Sequence, residues 1–195
     1  MSSVRTSQNL LSNSIGMGSK GYHIYRNLEL LNQLAPVEAE SVFKDCCGST
    51  EWARRMAAAR PFVMLDDLFR SAERNWMSLT PADWLEAFAS HPKIGSTKPS
   101  PSQKTLSAEW SRGEQASVKS AGELTLNQLA EANRLYLEKF GFIFIVCATG
   151  KSAGEMLEIC RQRYSSAAEA EIHIAAEEQR KITKIRLKKL LESGI

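Results

Sequence analysis

Of the three histidines in the chain, His91 stands where chemistry is easiest to arrange. It sits in the run DWLEAFASHPKIGS, with Pro92 directly after it. A residue before proline avoids the helical region, so a helix reaching this point must stop near His91. The imidazole can then project away from its own helix. Pro92 stiffens the exit, and Gly95 permits a sharp turn beyond it. Histidine is the side chain best suited to move a proton near neutral pH. The position equally suits a capping histidine that bonds the last carbonyls of its helix, and the residues alone leave both roles open.

A second group lies in WSRGEQASV. Ser111, Glu114 and Gln115 are spaced i, i+3, i+4 and share one helix face. A hydroxyl, a carboxylate and an amide there offer donors and acceptors to a polar, planar ligand. A solvated surface face would read the same way. Arg186 is the third candidate. Ile182, Arg186 and Leu190 are four apart, which puts the guanidinium within an otherwise apolar stripe. If buried, it needs an anion, either a structural carboxylate or a substrate carboxylate held by two parallel bonds. If it lies at the edge of the stripe, it can snorkel to solvent.

His23 and His173 have no motif around them. HExxH, paired CxxC, GxGxxG and GxxxxGK[ST] do not occur, so metal, dinucleotide and nucleotide sites have no support. GKSAGE resembles half a phosphate loop without its first glycine, and its Ser152 reads better as a helix cap.

The elements that must position these residues are helical. Leu28, Leu31 and Leu34 form one stripe ended by Pro36. Val37 to Cys47 is a short helix closed by Gly48, and Ser49 or Thr50 caps the next. Pro61 breaks that helix and can open another, with Phe62, Leu65, Leu68, Phe69 and Trp76 facing in. Thr80-Pro81 starts a helix that buries Trp84, Leu85 and Phe88 and ends near His91. After a loop over 92–105, a helix resumes near Leu106 and runs past Gln115. Thr125 caps another that stops at Gly141. FIFIVCA, residues 142–148, is a buried strand or extended segment. Ser152 caps AGEMLEICRQRY, and the last helix runs from about Ala167 to Leu191. A lone strand has no partner for its backbone, so the expected fold is all-α. It is a single-domain bundle of seven to eight helices over 22–195, with residues 1–21 a disordered leader.

Composition agrees. The chain has 195 residues, 43% hydrophobic and 24% charged, enough for one domain with its own core. A net charge of +3, from 25 basic and 22 acidic residues, does not suggest a nucleic-acid or membrane surface. No stretch approaches the ~18 apolar residues of a membrane helix. Cys46, Cys47, Cys147 and Cys160 lack metal spacing and read as reduced core thiols. The first 28 residues contain no acid.

DWLEAFASHPKIGS, WSRGEQA, EKFGFIFIVCATGKSAGEML and RYSSAAEAEIHIAAEEQRKITKIRLKKL, in this order, resemble 2-oxo-4-hydroxy-4-carboxy-5-ureidoimidazoline (OHCU) decarboxylases. These enzymes form allantoin at the end of urate breakdown. The resemblance covers about residues 37–191 and is strongest to the plant form, in which a hydroxyisourate hydrolase domain follows. CCGSTEWARRM also fits that form. Motifs of the hydrolase domain are missing here, which implies a functional link to a hydroxyisourate hydrolase on a separate chain. The N-terminal extension is not needed by the family core.

The resemblance implies roles residue by residue. His91 and Glu114 are the catalytic pair, with His91 moving the proton. Pro92 lines the substrate, and Ser111 and Gln115 hold the ring and its polar edge. The backbone of Ile145, Val146, Cys147 and Ala148 contacts the ureido and imidazoline atoms, and Arg186 lies near the substrate carboxylate. The family further implies a small-molecule substrate, no cofactor, no nucleic acid and no membrane, and a homodimer. RNLELLNQL (26–34) loosely resembles a nonapeptide peroxisomal signal, although Asn27 departs from it. A peroxisomal or cytoplasmic location is therefore expected. A catalytically inactive interaction module of the same fold is the other reading of these residues.

Overall fold

The computed structural model describes residues 19–92, 109, 110, 113 and 122–194. Among these, the backbone forms eight α-helices and no strand. They are α1 (Ser19–Gln33), α2 (Pro36–Cys47), α3 (Thr50–Ala58), α4 (Leu65–Met77), α5 (Pro81–Ala89), α6 (Glu123–Phe140), α7 (Ala153–Tyr164) and α8 (Ala168–Ser193). Residues 109, 110 and 113 are also helical. No described helix is long and apolar enough to cross a membrane.

Local chemistry sets most boundaries. Ser49 Oγ accepts from the Trp52 N–H at 3.3 Å and starts α3. Thr80 and Asp83 satisfy each other's backbone N–H groups at the head of α5, and Ser152 and Glu155 do so at α7. Gly48 and Gly141 close α2 and α6 with φ of 91° and 77°.

Three expectations differ. Pro61 does not open a helix. The Phe62 N–H donates to Asn32 Oδ1 and its carbonyl accepts from Asn32 Nδ2, each at 2.9 Å, so this stretch is tied to α1. The next helix waits for Leu65, where Asp67 takes the Met64 N–H. Thr125 lies inside α6, which begins at Glu123 after Gly122. Leu85 is 38% exposed, while Trp84 and Phe88 are buried.

α8 is the central element. It packs on α1, α2, α4 and α5, and carries buried Glu171, Gln179, Thr183 and Arg186 among its apolar residues. Indole N–H groups tie the layers. Trp52 donates to the Ala72 carbonyl at 3.0 Å, Trp84 to that of Trp76 at 3.2 Å, and Trp76 to that of Ala176 at 3.0 Å. Residues 143–148 run extended through the interior, and Phe144 to Ala148 are all buried.

An extended segment without a sheet must satisfy its backbone by other means. Here side chains do so. Arg163 donates to the Ile145 carbonyl at 2.7 Å and to Glu171 at 2.7 Å. The Tyr136 hydroxyl also donates to Glu171, and the guanidinium lies 4.9 Å from the Phe144 ring centroid. Glu171 is fully buried and Arg163 is 8% exposed. Removing one partner of a buried ion pair leaves an uncompensated charge, at a cost of about 3–5 kcal/mol. Arg163→Ala is therefore expected to destabilise the chain by that amount, read as a loss in chemical denaturation free energy. A loss below about 1 kcal/mol would contradict this role.

Candidate active site

The site is assembled around the middle of α8. His91 follows the Ser90 cap of α5, and its N–H donates to the Phe88 carbonyl at 3.1 Å. The ring's Nε2 is shielded from solvent, and Pro92 beside it is half-buried. The end of α5 is seated against the turn between α2 and α3. A Cβ on Gly48 would lie 2.1 Å from Ser90 Oγ and 3.2 Å from the Ala87 carbonyl, so only glycine lets the two pass. Its left-handed φ requires glycine as well.

Glu86 locks the same junction. Its carboxylate accepts from the Thr50 N–H at 2.9 Å and the Thr50 hydroxyl at 2.5 Å, with Lys44 Nζ at 3.5 Å. Burial pushes the Glu86 carboxyl up, but these donors outweigh it and hold the group below its ordinary 4.5.

α8 reaches this corner too. Gln179 Nε2 donates to the Cys47 carbonyl at 3.2 Å and to Thr183 Oγ1 at 3.3 Å. Arg186 is 1% exposed, so it is a buried guanidinium rather than a snorkelling one. It acts electrostatically on Asp45, Cys46 and Cys47. Burial raises the Asp45 carboxyl, against the pull of Arg186.

The extended segment joins from the other side. Phe142 packs on Phe88 with ring centroids 5.4 Å apart, which links the helix of His91 to residues 145–148. Next to Gln179 in the chain, Glu178 accepts the Cys147 N–H at 2.8 Å. The structure thus packs α5, which ends just before His91 and Pro92, on α8, the helix that carries Arg186 and whose Glu178 holds Cys147 of the 145–148 segment. Arg186 lies about 12 Å further along that helix than Glu178, from a rise of about 1.5 Å per residue. Ser111, Glu114 and Gln115 lie outside the described residues.

Other chemistry is disfavoured. All four cysteines are free and buried. Burial pushes the Cys47 thiol up to about 12 and that of Cys160 up to about 11, so neither supplies a thiolate nucleophile at neutral pH. Among the described residues, no three His, Cys, Asp or Glu side chains converge to hold a metal ion. His173 is exposed, with its ring 5.3 Å from that of Trp84. His23 is exposed on α1.

Sequence reasoning missed Arg163, Glu171, Glu178 and Lys151. Two of them carried a signal. Arg163 follows Met156 and Cys160 at i+7 and i+3, and Glu171 falls on the stripe of Ala175, Gln179, Ile182 and Arg186. A charged residue inside an apolar stripe marks a buried pair. Glu178 and Lys151 lie outside such stripes, and only the tertiary structure shows their role.

The described residues form an all-α fold around a buried segment of irregular main chain. The OHCU decarboxylase family model matches residues 32–188, and the chain belongs to the OHCU decarboxylase family. It is 41% identical over 152 residues to the uric acid degradation bifunctional protein TTL of Arabidopsis thaliana, covering 77% of this chain and 47% of that protein. The chain therefore spans about half the length of this relative. The OHCU decarboxylase of Haloferax volcanii is 23% identical, over 82% of this chain and 93% of its own. A crystal structure of an OHCU decarboxylase in the presence of (S)-allantoin superposes with a TM-score of 0.66 at 39% identity, covering 76% of this chain and 96% of the other.

The Glu86 junction has a pH signature. A depressed folded-state pKa stabilises fully above the ordinary value of 4.5 and loses that stability as pH falls through the folded value. With the side chain 42% exposed, Glu86→Gln is expected to cost about 1 kcal/mol at pH 7, or about 2–4 °C in Tm. That gap should close as pH is lowered from 5 to 3. A Tm difference that is constant across this range would assign the shift elsewhere.

Proposed function

We propose that this chain decarboxylates 2-oxo-4-hydroxy-4-carboxy-5-ureidoimidazoline to (S)-allantoin and CO2, the last step of urate degradation, without a cofactor. The observation that carries the reading is the family match along residues 32–188, a stretch that includes His91 and the 145–148 segment.

Decarboxylation breaks the bond between the ring carbon and the carboxylate, and the bonding pair stays behind on the ring. Most enzymes bring an electron sink for that pair. This substrate carries its own, because the ring C=N is conjugated with the breaking bond. The protein need only hold the ring, orient the carboxylate and return a proton. In the proposed mechanism, Ser111 and Gln115 hold the polar edge of the ring, and Glu114 acts with His91. Pro92 lines the ring. Backbone groups of Ile145, Val146, Cys147 and Ala148 engage the ureido and imidazoline atoms. Arg186 supplies positive potential towards the departing carboxylate. His91 delivers the proton that fixes the hand of allantoin. Shielding of its ring from water supports this role, since stray water would protonate either face.

The chain acts as a homodimer in this proposal. It receives substrate from a separate hydroxyisourate hydrolase, in a peroxisome or the cytoplasm. The nonapeptide resemblance at 26–34 falls within α1, where Leu28 and Leu31 are buried. Reading it as a signal would require that turn to open.

The test generates substrate freshly from urate with urate oxidase and hydroxyisourate hydrolase and follows allantoin by circular dichroism. Wild type should form one enantiomer rapidly. His91→Ala should lower kcat by at least about 100-fold, as loss of general acid–base catalysis does. No acceleration over the spontaneous decay by a folded wild-type chain would reject the activity. An unimpaired His91→Ala would reject the site.

A further inference from the structure

The Cys147 peptide is gripped from both sides by charged groups. Glu178 Oε2 accepts its N–H at 2.8 Å, and Lys151 Nζ donates to its carbonyl at 2.7 Å. The grip is built from two elements that meet here. Lys151 is folded back by the turn over 148–151, where its own N–H donates to the Ala148 carbonyl at 3.0 Å and Gly150 takes a φ of 80°. Glu178 projects from the middle of α8 and is only 14% exposed. Its second oxygen accepts from Lys181 Nζ at 2.5 Å, which fixes its rotamer. Two residues upstream, Arg163 holds the Ile145 carbonyl at 2.7 Å. Arg163 thus holds the peptide plane that carries the Val146 N–H, and Glu178 holds the plane that carries the Val146 carbonyl. Val146 is 5% exposed and makes no backbone hydrogen bond to another described residue. A buried peptide without protein partners needs hydrogen bonds from another molecule.

We propose that Glu178 and Lys151 are positioning residues: they lock the two peptide planes that meet at Cys147, so that the buried Val146 carbonyl, which shares its plane with the Cys147 N–H, is offered to the substrate in a fixed orientation. This inference rests on the decarboxylase reading above. Neither side chain need touch substrate. The Val146 N–H and C=O can recognise a planar urea-like edge only if the two peptide planes that carry them are held in a defined orientation. A main chain in the bundle interior has no ladder to define it. The charged side chains replace the missing sheet neighbour.

The experiment uses the full chain with Glu178→Ala, Glu178→Gln and Lys151→Met, in the coupled assay with freshly generated substrate. Losing one charge-assisted hydrogen bond in the clamp should lower kcat/KM by about 10- to 100-fold, mostly as a raised KM. His91→Ala, in contrast, acts on kcat. The enantiomer ratio of the allantoin formed should also fall, because a loosely held ring can be protonated from either face. Glu178→Gln keeps an acceptor oxygen and should recover most of the lost kcat/KM. A purely structural role would shrink the active fraction but leave KM and the enantiomer ratio unchanged, and that result would overturn the proposal. If Glu178→Ala does not fold, Lys151→Met decides, since Lys151 sits in a surface turn. Wild-type KM and enantiomer ratio in that variant would reject the clamp. Turnover by wild type in the same assay separates these outcomes, because its absence would remove the decarboxylase reading itself.

Discussion

A single extended segment inside a helical bundle has to place its backbone hydrogen bonds on something, and the rest of this fold is arranged around that need. Residues 143–148 have no neighbouring strand. Each buried peptide group left unpaired would cost about 1–3 kcal/mol. The bundle answers with side chains instead of a ladder. Arg163 reaches the Ile145 carbonyl, Glu178 the Cys147 N–H and Lys151 the Cys147 carbonyl. Charged groups are the economical choice, because a long side chain with a full charge can reach across a helix diameter and still bond strongly. Their use forces further arrangements. Arg163 cannot be buried without Glu171, and Glu171 takes the Tyr136 hydroxyl as a second donor. One irregular stretch of main chain thus fixes the relative placement of α6, α7 and α8.

α8 extends the same logic to the corner where His91 stands. Its buried polar residues succeed one another along one stripe: Glu171 against α7, Gln179 against the Cys47 carbonyl, Arg186 beside Asp45. A purely apolar helix could slide or rotate by a turn among its neighbours with little change in buried area. Polar groups with single partners cannot. Register along α8 sets the distance between the extended segment and the corner where α5 ends, and hence where His91 stands relative to residues 145–148. The Phe88–Phe142 contact, at 5.4 Å between ring centroids, joins the two sides directly.

Much of this was legible in the sequence, for identifiable reasons. Caps at Ser49, Thr80 and Ser152 act over three residues, and the glycines that close α2 and α6 act on their own φ, so local pattern suffices. The halt of α5 at His91 follows from Pro92 alone. The four-residue spacing to Ile182 and Leu190 places Arg186 in the apolar stripe but leaves snorkelling open, and the tertiary structure buries it. The all-α fold followed from a strand that had no second strand to pair with. What failed was non-local. Pro61 has the chemistry to begin a helix, but Asn32, thirty residues earlier, holds Phe62 by both backbone groups and delays α4. Leu85 has the hydrophobicity of a core residue, yet the path of α5 leaves it exposed. Of the site, the histidine and the arginine could be seen in the pattern. Family resemblance added Ser111, Glu114 and Gln115, whose own spacing fitted a solvated face equally well.

The electrostatics of the corner and of the segment differ in a way that suits the proposed chemistry. At the α2–α3 corner, the buried Arg186 stands against Asp45, whose carboxyl burial raises. Burial raises the neighbouring thiols as well, so no thiolate there competes with an incoming carboxylate for the guanidinium. At the segment, the charges of Glu178, Lys151 and Lys181 are spent on main-chain groups and on each other, so the Cys147 peptides are held as oriented dipoles. A substrate whose carboxylate must be drawn in but then lost as neutral CO2 is served by positive potential at one end and by neutral, oriented dipoles along the ring. Too strong a fixed charge at the carboxylate would stabilise the ground state more than the transition state. The Asp45 carboxyl, which feels Arg186 electrostatically, tempers that charge.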